Sequence, residues 1–157
     1  AILDAGSTGF GLESTILDIS REMPEVVRQG GLPIEELEAV LGFSLETTVV
    51  SGFRQSYQTG QLKIELCQDL EQLQEVISGC QHDTTALVHY GLNPLEGMVD
   101  NLKAYTLNLK GQGGGLYSII REAESQGFKR LIFAPLPENL TGLSRSLADR
   151  IKRAAGT

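Results

Sequence analysis

The chain has 157 residues, 41% of them apolar and 21% charged, with a mean hydropathy of −0.07, which is the make-up of a globular domain able to bury a core without disulfides or metals. Its formal net charge of −7 and sequence pI near 4.8 argue against a dedicated nucleic-acid module, which carries a basic surplus. No long apolar run marks a membrane span, and Cys67 and Cys80 form no Cys-x-x-Cys pair, so both are expected as reduced thiols of a cytoplasmic protein.

The residues at about 13–19 alternate in the strand manner, placing Thr15, Leu17 and Ile19 on one face. Pro24 to Val27 reads as a second strand ended by Gln29-Gly-Gly31. Pro33 suits the first turn of a helix, where its missing N–H is not needed. Glu35 and Glu36 complement the positive end of that helix, Ile34, Leu37 and Leu41 give it an apolar face, and Gly42 stops it. Residues 44–61 carry no clear period, and the polar, turn-rich Ser51 to Gly60 within them reads as a linker.

From Leu62 the pattern is cleaner. Leu62 to Cys67 is a strand, and Asp69 with Gln72 opens a helix whose buried stripe is Leu70, Leu73, Val76 and Ile77. Thr85 to Tyr90 is a near-continuous apolar run suited to a central parallel strand. Tyr105 to Leu109 is a further strand. Gly113-Gly-Gly115 leads into a helix with Leu116, Ile119, Ile120 and Ala123 on one face. Leu131 to Ala134 is a strand, and Leu143, Leu147, Ile151 and Ala154 mark a last helix. Alternation of this kind predicts an α/β fold with a mostly parallel sheet.

Four groups of residues carry candidate chemistry. Glu13-Ser14-Thr15 offers a hydroxyl and backbone N–H groups for a carboxylate or phosphate. Arg28 offers a planar fork for phosphate oxygens beside two glycines that allow close backbone approach. Gly111 to Gly115 opens a helix, the context for phosphate binding, yet Leu116 stands where a dinucleotide fingerprint has its third glycine. Read without a ligand, it is a flexible connection. Arg145, Arg150, Lys152 and Arg153 read as a solvated helix face, with Asp149 spaced to pair with Arg145 and Arg153; a local anion or RNA contact is the alternative. His82 and His89 lack nucleophile or metal-ligand partners, and no metal site or catalytic residue is assigned.

Gly11-Leu-Glu-Ser-Thr-Ile-Leu-Asp18, Val27-Arg-Gln-Gly-Gly31 and Ile34-Glu-Glu-Leu37 together resemble the end of the YrdC-like catalytic domain of the threonylcarbamoyl-AMP synthase family. Leu116-Tyr-Ser-Ile-Ile-Arg121, Gly127, Leu131-Ile-Phe-Ala134 and Gly142 to Ala155 resemble the smaller C-terminal domain of the two-domain form. The resemblance implies three parts: residues 1–43 as the tail of a YrdC-like domain, 44–61 as linker, and 62–157 as a Rossmann-like sheet flanked by helices.

The family makes threonylcarbamoyl-AMP from threonine, bicarbonate and ATP, for threonylcarbamoylation of tRNA. By resemblance Ser14 holds threonine, and Arg28 and Tyr57 hold the nucleotide. ATP is a substrate, with Mg2+ in the parent enzyme. The family's Lys-x-Arg and Ser-x-Asn motifs are absent from this chain, so it is expected to be inactive alone and to bind neither ATP nor Mg2+ tightly. Gln29 replaces a family proline, and Ser51 to Tyr57 is an eroded form of the linker motif. The rival expectation is a non-catalytic α/β binding or interaction domain. Direct tRNA binding and membrane contact are not expected, whereas self-association through residues 1–43 is.

Overall fold

The apolar runs sort into two sheets, seen in a computed structural model that describes residues 1, 11–47, 61–91, 101–110 and 115–156. In the smaller sheet, β1 (Ile16–Asp18) is antiparallel to β2 (Glu25–Arg28), and β2 runs parallel to β3 (Glu46–Thr47). Helix α1 (Ile34–Leu41) covers it, burying Val26, Ile34 and Leu45 together with Leu17 and Leu37 against them. Pro33 stands at the cap position, not inside the first turn. Gly42 ends α1 at φ 80°, a left-handed conformation that costs a residue with a Cβ, and its N–H reaches Glu38 O at 2.8 Å.

The larger sheet contains β4 (Lys63–Leu66), β5 (Thr85–His89), β6 (Lys103–Thr106) and β7 (Arg130–Phe133) in the order β4-β7-β5-β6, all parallel. Helix α2 (Leu70–Ser78) covers one face, and α3 (Gly115–Ser125) and α4 (Gly142–Ala155) cover the other. Strand alternation explains the sorting. Leu131 and Phe133 pack with Leu116, Ile120, Leu147 and Ile151, whereas Ile132 and Ala134 pack with Leu73 and Ile77. A strand covered on both faces needs apolar residues at successive positions, as Ala86-Leu-Val88 and Leu131-Ile-Phe133 supply. The expected α/β fold with a parallel, helix-flanked sheet is what the chain adopts.

Asp69 caps α2 by accepting from Gln72 N at 2.8 Å. The returning Gln72 side chain bonds Gln68 N at 2.7 Å, one residue before the cap. Across β4 and β7, Glu65 takes a two-pronged contact from Arg130, Nε to Oε1 at 3.0 Å and Nη2 to Oε2 at 2.9 Å. These bonds hold the Glu65 carboxyl below its ordinary range, aided by Lys63.

Several details depart from the sequence reading, among them Leu70, expected in the buried stripe of α2 and 42% exposed. The first strand is only Ile16–Asp18, and Ile19, expected on one face with Thr15 and Leu17, lies beyond it and is 75% exposed. Glu46–Thr47, expected in the linker, still pair with β2. The third strand of the larger sheet begins at Lys103 and ends at Thr106, because its neighbour β5 ends at His89. Leu107 and Leu109 then pack on the core from beyond the ladder. No helix among the described residues is long and apolar enough to cross a membrane.

Candidate functional site

The segments Glu13-Ser-Thr15 and Arg28-Gln-Gly-Gly31 are far apart in sequence and adjacent in space. The hairpin pairs Ile16 with Arg28, so the residues before β1 run beside those after β2. Four hydrogen bonds then fasten them. Arg28 Nε donates to Ser14 O at 3.0 Å, and Gly31 N donates to Glu13 O at 2.9 Å. Gly30 N donates to Thr15 Oγ1 at 3.0 Å, and that hydroxyl donates to Leu32 O at 2.7 Å. Gly30 is where the backbones touch: a Cβ there would collide with the Glu13 carbonyl and the Ser14–Thr15 peptide. Only glycine permits this packing.

The result is one compact loop pair. Ser14 is exposed and Arg28 half-buried. With Nε used on Ser14 O, the terminal guanidinium nitrogens of Arg28 have no carboxylate partner among the described residues. A serine residue whose carbonyl holds a guanidinium brings together the residue types that suit a carboxylate or phosphate. Tyr57 and Gly111 to Gly114 lie outside the described residues.

The loop pair stands on the helical layer of the larger sheet. Leu12 packs against its core, and Tyr117 of α3 donates its hydroxyl to Glu13, 3.3 Å from each carboxylate oxygen. Arg150 of α4 sets Nε 3.0 Å from Glu13 Oε2, a charge contact off the hydrogen-bonding direction. Its Nη2 donates to Gln29 O at 3.4 Å. A second tie joins Glu35 of α1 to Arg145 at 3.2 Å and to the Gly142 N–H at 3.3 Å. The Glu35 carboxyl is held low, first by its own backbone N–H and then by Gly142 and Arg145.

The basic stretch is therefore only in part the solvated face that its composition suggests: Arg145 and Lys152 are exposed, and Arg150 is not. Arg150 is 7% exposed, and Arg145 pairs with Glu35 instead of Asp149. The expected Arg153–Asp149 pair is present at 2.8 Å. Sequence reasoning missed Arg150, although it stands three residues after Leu147 on the apolar stripe of α4, where a charge needs a buried partner.

Two crevices open at the carboxyl ends of the parallel strands, the usual ligand edge of such sheets. The larger, ≈ 770 Å³, lies beyond β5 and β6 and is lined in part by Tyr90, Asn108 and Thr141. Lys110 and Glu138 in its wall oppose each other in charge, so it does not select an anion. Burial pushes the Tyr90 phenol up, and its hydroxyl has no partner among the described residues. The smaller, ≈ 370 Å³, lies between Leu66, Cys67 and Lys152, where α2 and α4 diverge to opposite faces. Burial raises the Cys67 thiol to about 11, which leaves it a poor nucleophile at neutral pH.

His89 is structural: Nδ1 accepts from Gly91 N at 3.2 Å, and Nε2 lies 3.2 Å from Thr106 Oγ1. No group of three or more His, Cys, Asp or Glu able to hold a metal occurs among the described residues.

No protein-family model matches the chain. Among curated proteins it is 25% identical over 169 aligned positions to a threonylcarbamoyl-AMP synthase of Bacillus subtilis, covering 99% of this chain and 48% of that protein. It is 49% identical over 41 positions, 26% of this chain and 12% of the relative, to a threonylcarbamoyl-AMP synthase of Pyrococcus abyssi. Among solved structures, P. abyssi Sua5 complexed with L-threonine matches with a TM-score of 0.74 at 20% identity, over 98% of this chain and 48% of that one. The H234A/Y235A variant of P. abyssi Sua5 matches with a TM-score of 0.67 at 22% identity, over 98% and 45%. The chain thus spans about half the length of the relatives that it matches along its whole length.

Proposed function

From the chain's kinship with the threonylcarbamoyl-AMP synthase family, we propose that it is the C-terminal part of an L-threonylcarbamoyladenylate synthase. Such an enzyme joins threonine, bicarbonate and ATP and releases pyrophosphate, supplying the donor for tRNA modification. Residues 1–43 are the tail of the catalytic domain, 44–61 the linker and 62–157 the C-terminal domain. Ser14 contributes to the threonine site, and Arg28 and Tyr57 to the nucleotide site.

The observation that carries this reading is the joining of Glu13-Ser-Thr15 to Arg28-Gln-Gly-Gly31 through Gly30, with Ser14 exposed and Arg28 half-buried beside its carbonyl. In that position a guanidinium stabilises charge on a phosphate with no reorganisation. One arginine and one serine do not by themselves neutralise a triphosphate, so the chain works only with the remaining catalytic half.

Surface chemistry supports the same view. Of seven exposed large apolar residues among those described, six fall between Ile19 and Phe43: Ile19, Met23, Leu32, Val40, Leu41 and Phe43. The rest of a catalytic domain covers such a surface in the whole enzyme, and a second copy covers it when the chain stands alone. Gln29 in place of the family proline favours a second reading, a non-catalytic docking domain. The deciding experiment compares threonine-dependent pyrophosphate release from ATP by this chain and by the full product of its gene. The synthase reading expects release from the latter and none from the chain alone; no release from either favours the docking domain.

A further inference from the structure

Arg150 touches both segments of the loop pair, each time one residue from a candidate site residue. Its Nε meets the side chain of Glu13, which precedes Ser14, and its Nη2 meets the carbonyl of Gln29, which follows Arg28. Tyr117 meets Glu13 from the other helix. Arg150 is buried in the stripe that packs α4 on the sheet, so its head is fixed by the core and not by solvent-exposed rotamers.

We propose that Arg150 and Tyr117 are positioning residues: through Glu13 and the Gln29 carbonyl, the α3–α4 layer sets the spacing between Ser14 and Arg28. The inference rests on the reading of Ser14 and Arg28 as site residues, but its geometry does not. Both reach Ser14 and Arg28 through chain neighbours, Arg150 by the Glu13 side chain and the Gln29 carbonyl and Tyr117 by the Glu13 side chain. A contact between a buried guanidinium and a part-exposed carboxylate suits this task, since losing Glu13 leaves the Arg150 charge unpaired in a poorly solvated place. The arrangement gives the C-terminal layer a direct mechanical hold on the proposed threonine and phosphate positions.

The Gly30 and Gly31 amides report the spacing, because they bond Thr15 Oγ1 and Glu13 O across the pair. Hydrogen exchange at these amides is measured in the full protein for R150M, R150K, Y117F and the control R145M, whose tie runs to Glu35 instead. R150M is expected to speed exchange at Gly30 and Gly31 by about tenfold or more while β7 stays protected. R150K, which keeps the charge without the second reach, falls between R150M and the parent. R145M leaves both amides unchanged. In the active full-length enzyme, R150M raises KM for threonine and ATP more than it lowers kcat.

Unchanged Gly30 and Gly31 exchange in folded R150M overturns the proposal, as does a uniform rise that includes β7. If R150M does not fold, Y117F decides by the same criterion, since it removes one hydroxyl only. Exchange that responds in a protein without synthase activity removes the functional reading and leaves the positioning intact. Activity that needs Ser14 and Arg28 but ignores Arg150 does the reverse.

Discussion

Replacing Gly30 with alanine tests the geometry of the loop pair at its tightest point. At an ordinary position, glycine to alanine gains roughly 0.4–1 kcal/mol by restricting the unfolded chain. Here the new methyl meets backbone on three sides, the Glu13 carbonyl and the Ser14–Thr15 peptide, which cannot swing away as a side chain can. Overpacking of this sort costs about 1–3 kcal/mol. Separating the segments also removes the Gly30 N to Thr15 and Gly31 N to Glu13 hydrogen bonds. Each contributes about 0.5–1.5 kcal/mol. The steric and hydrogen-bond losses exceed the entropic gain, giving a net cost of about 3 kcal/mol. Urea unfolding gives the total, and exchange at Gly31 gives the local part. A G30A protein within about 0.5 kcal/mol of the parent, with Gly31 still protected, refutes the close approach.

Glu65→Gln removes the charge and one of the two acceptor oxygens of the Arg130 fork, with an expected loss of about 1 kcal/mol at pH 7 for a contact that is partly solvated. Because the folded carboxyl is held below its ordinary value of 4.5, its contribution is full above that pH and fades as pH falls through the folded value. The gap between parent and variant in urea midpoint therefore narrows in acid, and a gap that is constant from pH 7 to pH 3 contradicts the assignment. Cys67, 3% exposed and with its thiol raised to about 11, resists a thiol reagent at pH 8 that labels it readily in urea; rapid native labelling opposes its burial. Sedimentation of the chain is expected to show association that weakens on substituting Asp at Ile19 and Val40, which are 75% and 86% exposed. A monomer at every concentration counts against a covered surface there.

The larger sheet was legible because its strands are buried on both faces. Runs such as Leu131-Ile-Phe-Ala134 have no competing helical period, and Asp69 and Gly127 punctuate the helices beside them. Its limits were less so: Leu107 and Leu109 continue the apolar alternation after β6 has lost its partner strand. In the smaller sheet, Glu13 to Thr15 look like strand but bond the turn at 28–32 instead, which shortens β1. β3 is two exposed residues with no pattern to mark them. Ser14 and Arg28 stood out as candidates by residue type and resemblance. Arg150 was not, since a charge among Arg145, Lys152 and Arg153 reads as solvated until its partner Glu13, more than a hundred residues away, is seen beside it.

The account turns on Ser14 and Arg28 acting as one threonine and phosphate half-site, and the direct test is steady-state pyrophosphate release by the full product of the gene carrying S14A or R28M. Each substitution is expected to lower kcat/KM by at least about tenfold, S14A chiefly through threonine and R28M chiefly through ATP, as the loss of a charge-assisted or hydroxyl contact implies. Parent-like constants for both substrates in both variants would contradict the assignment of these two residues to the site.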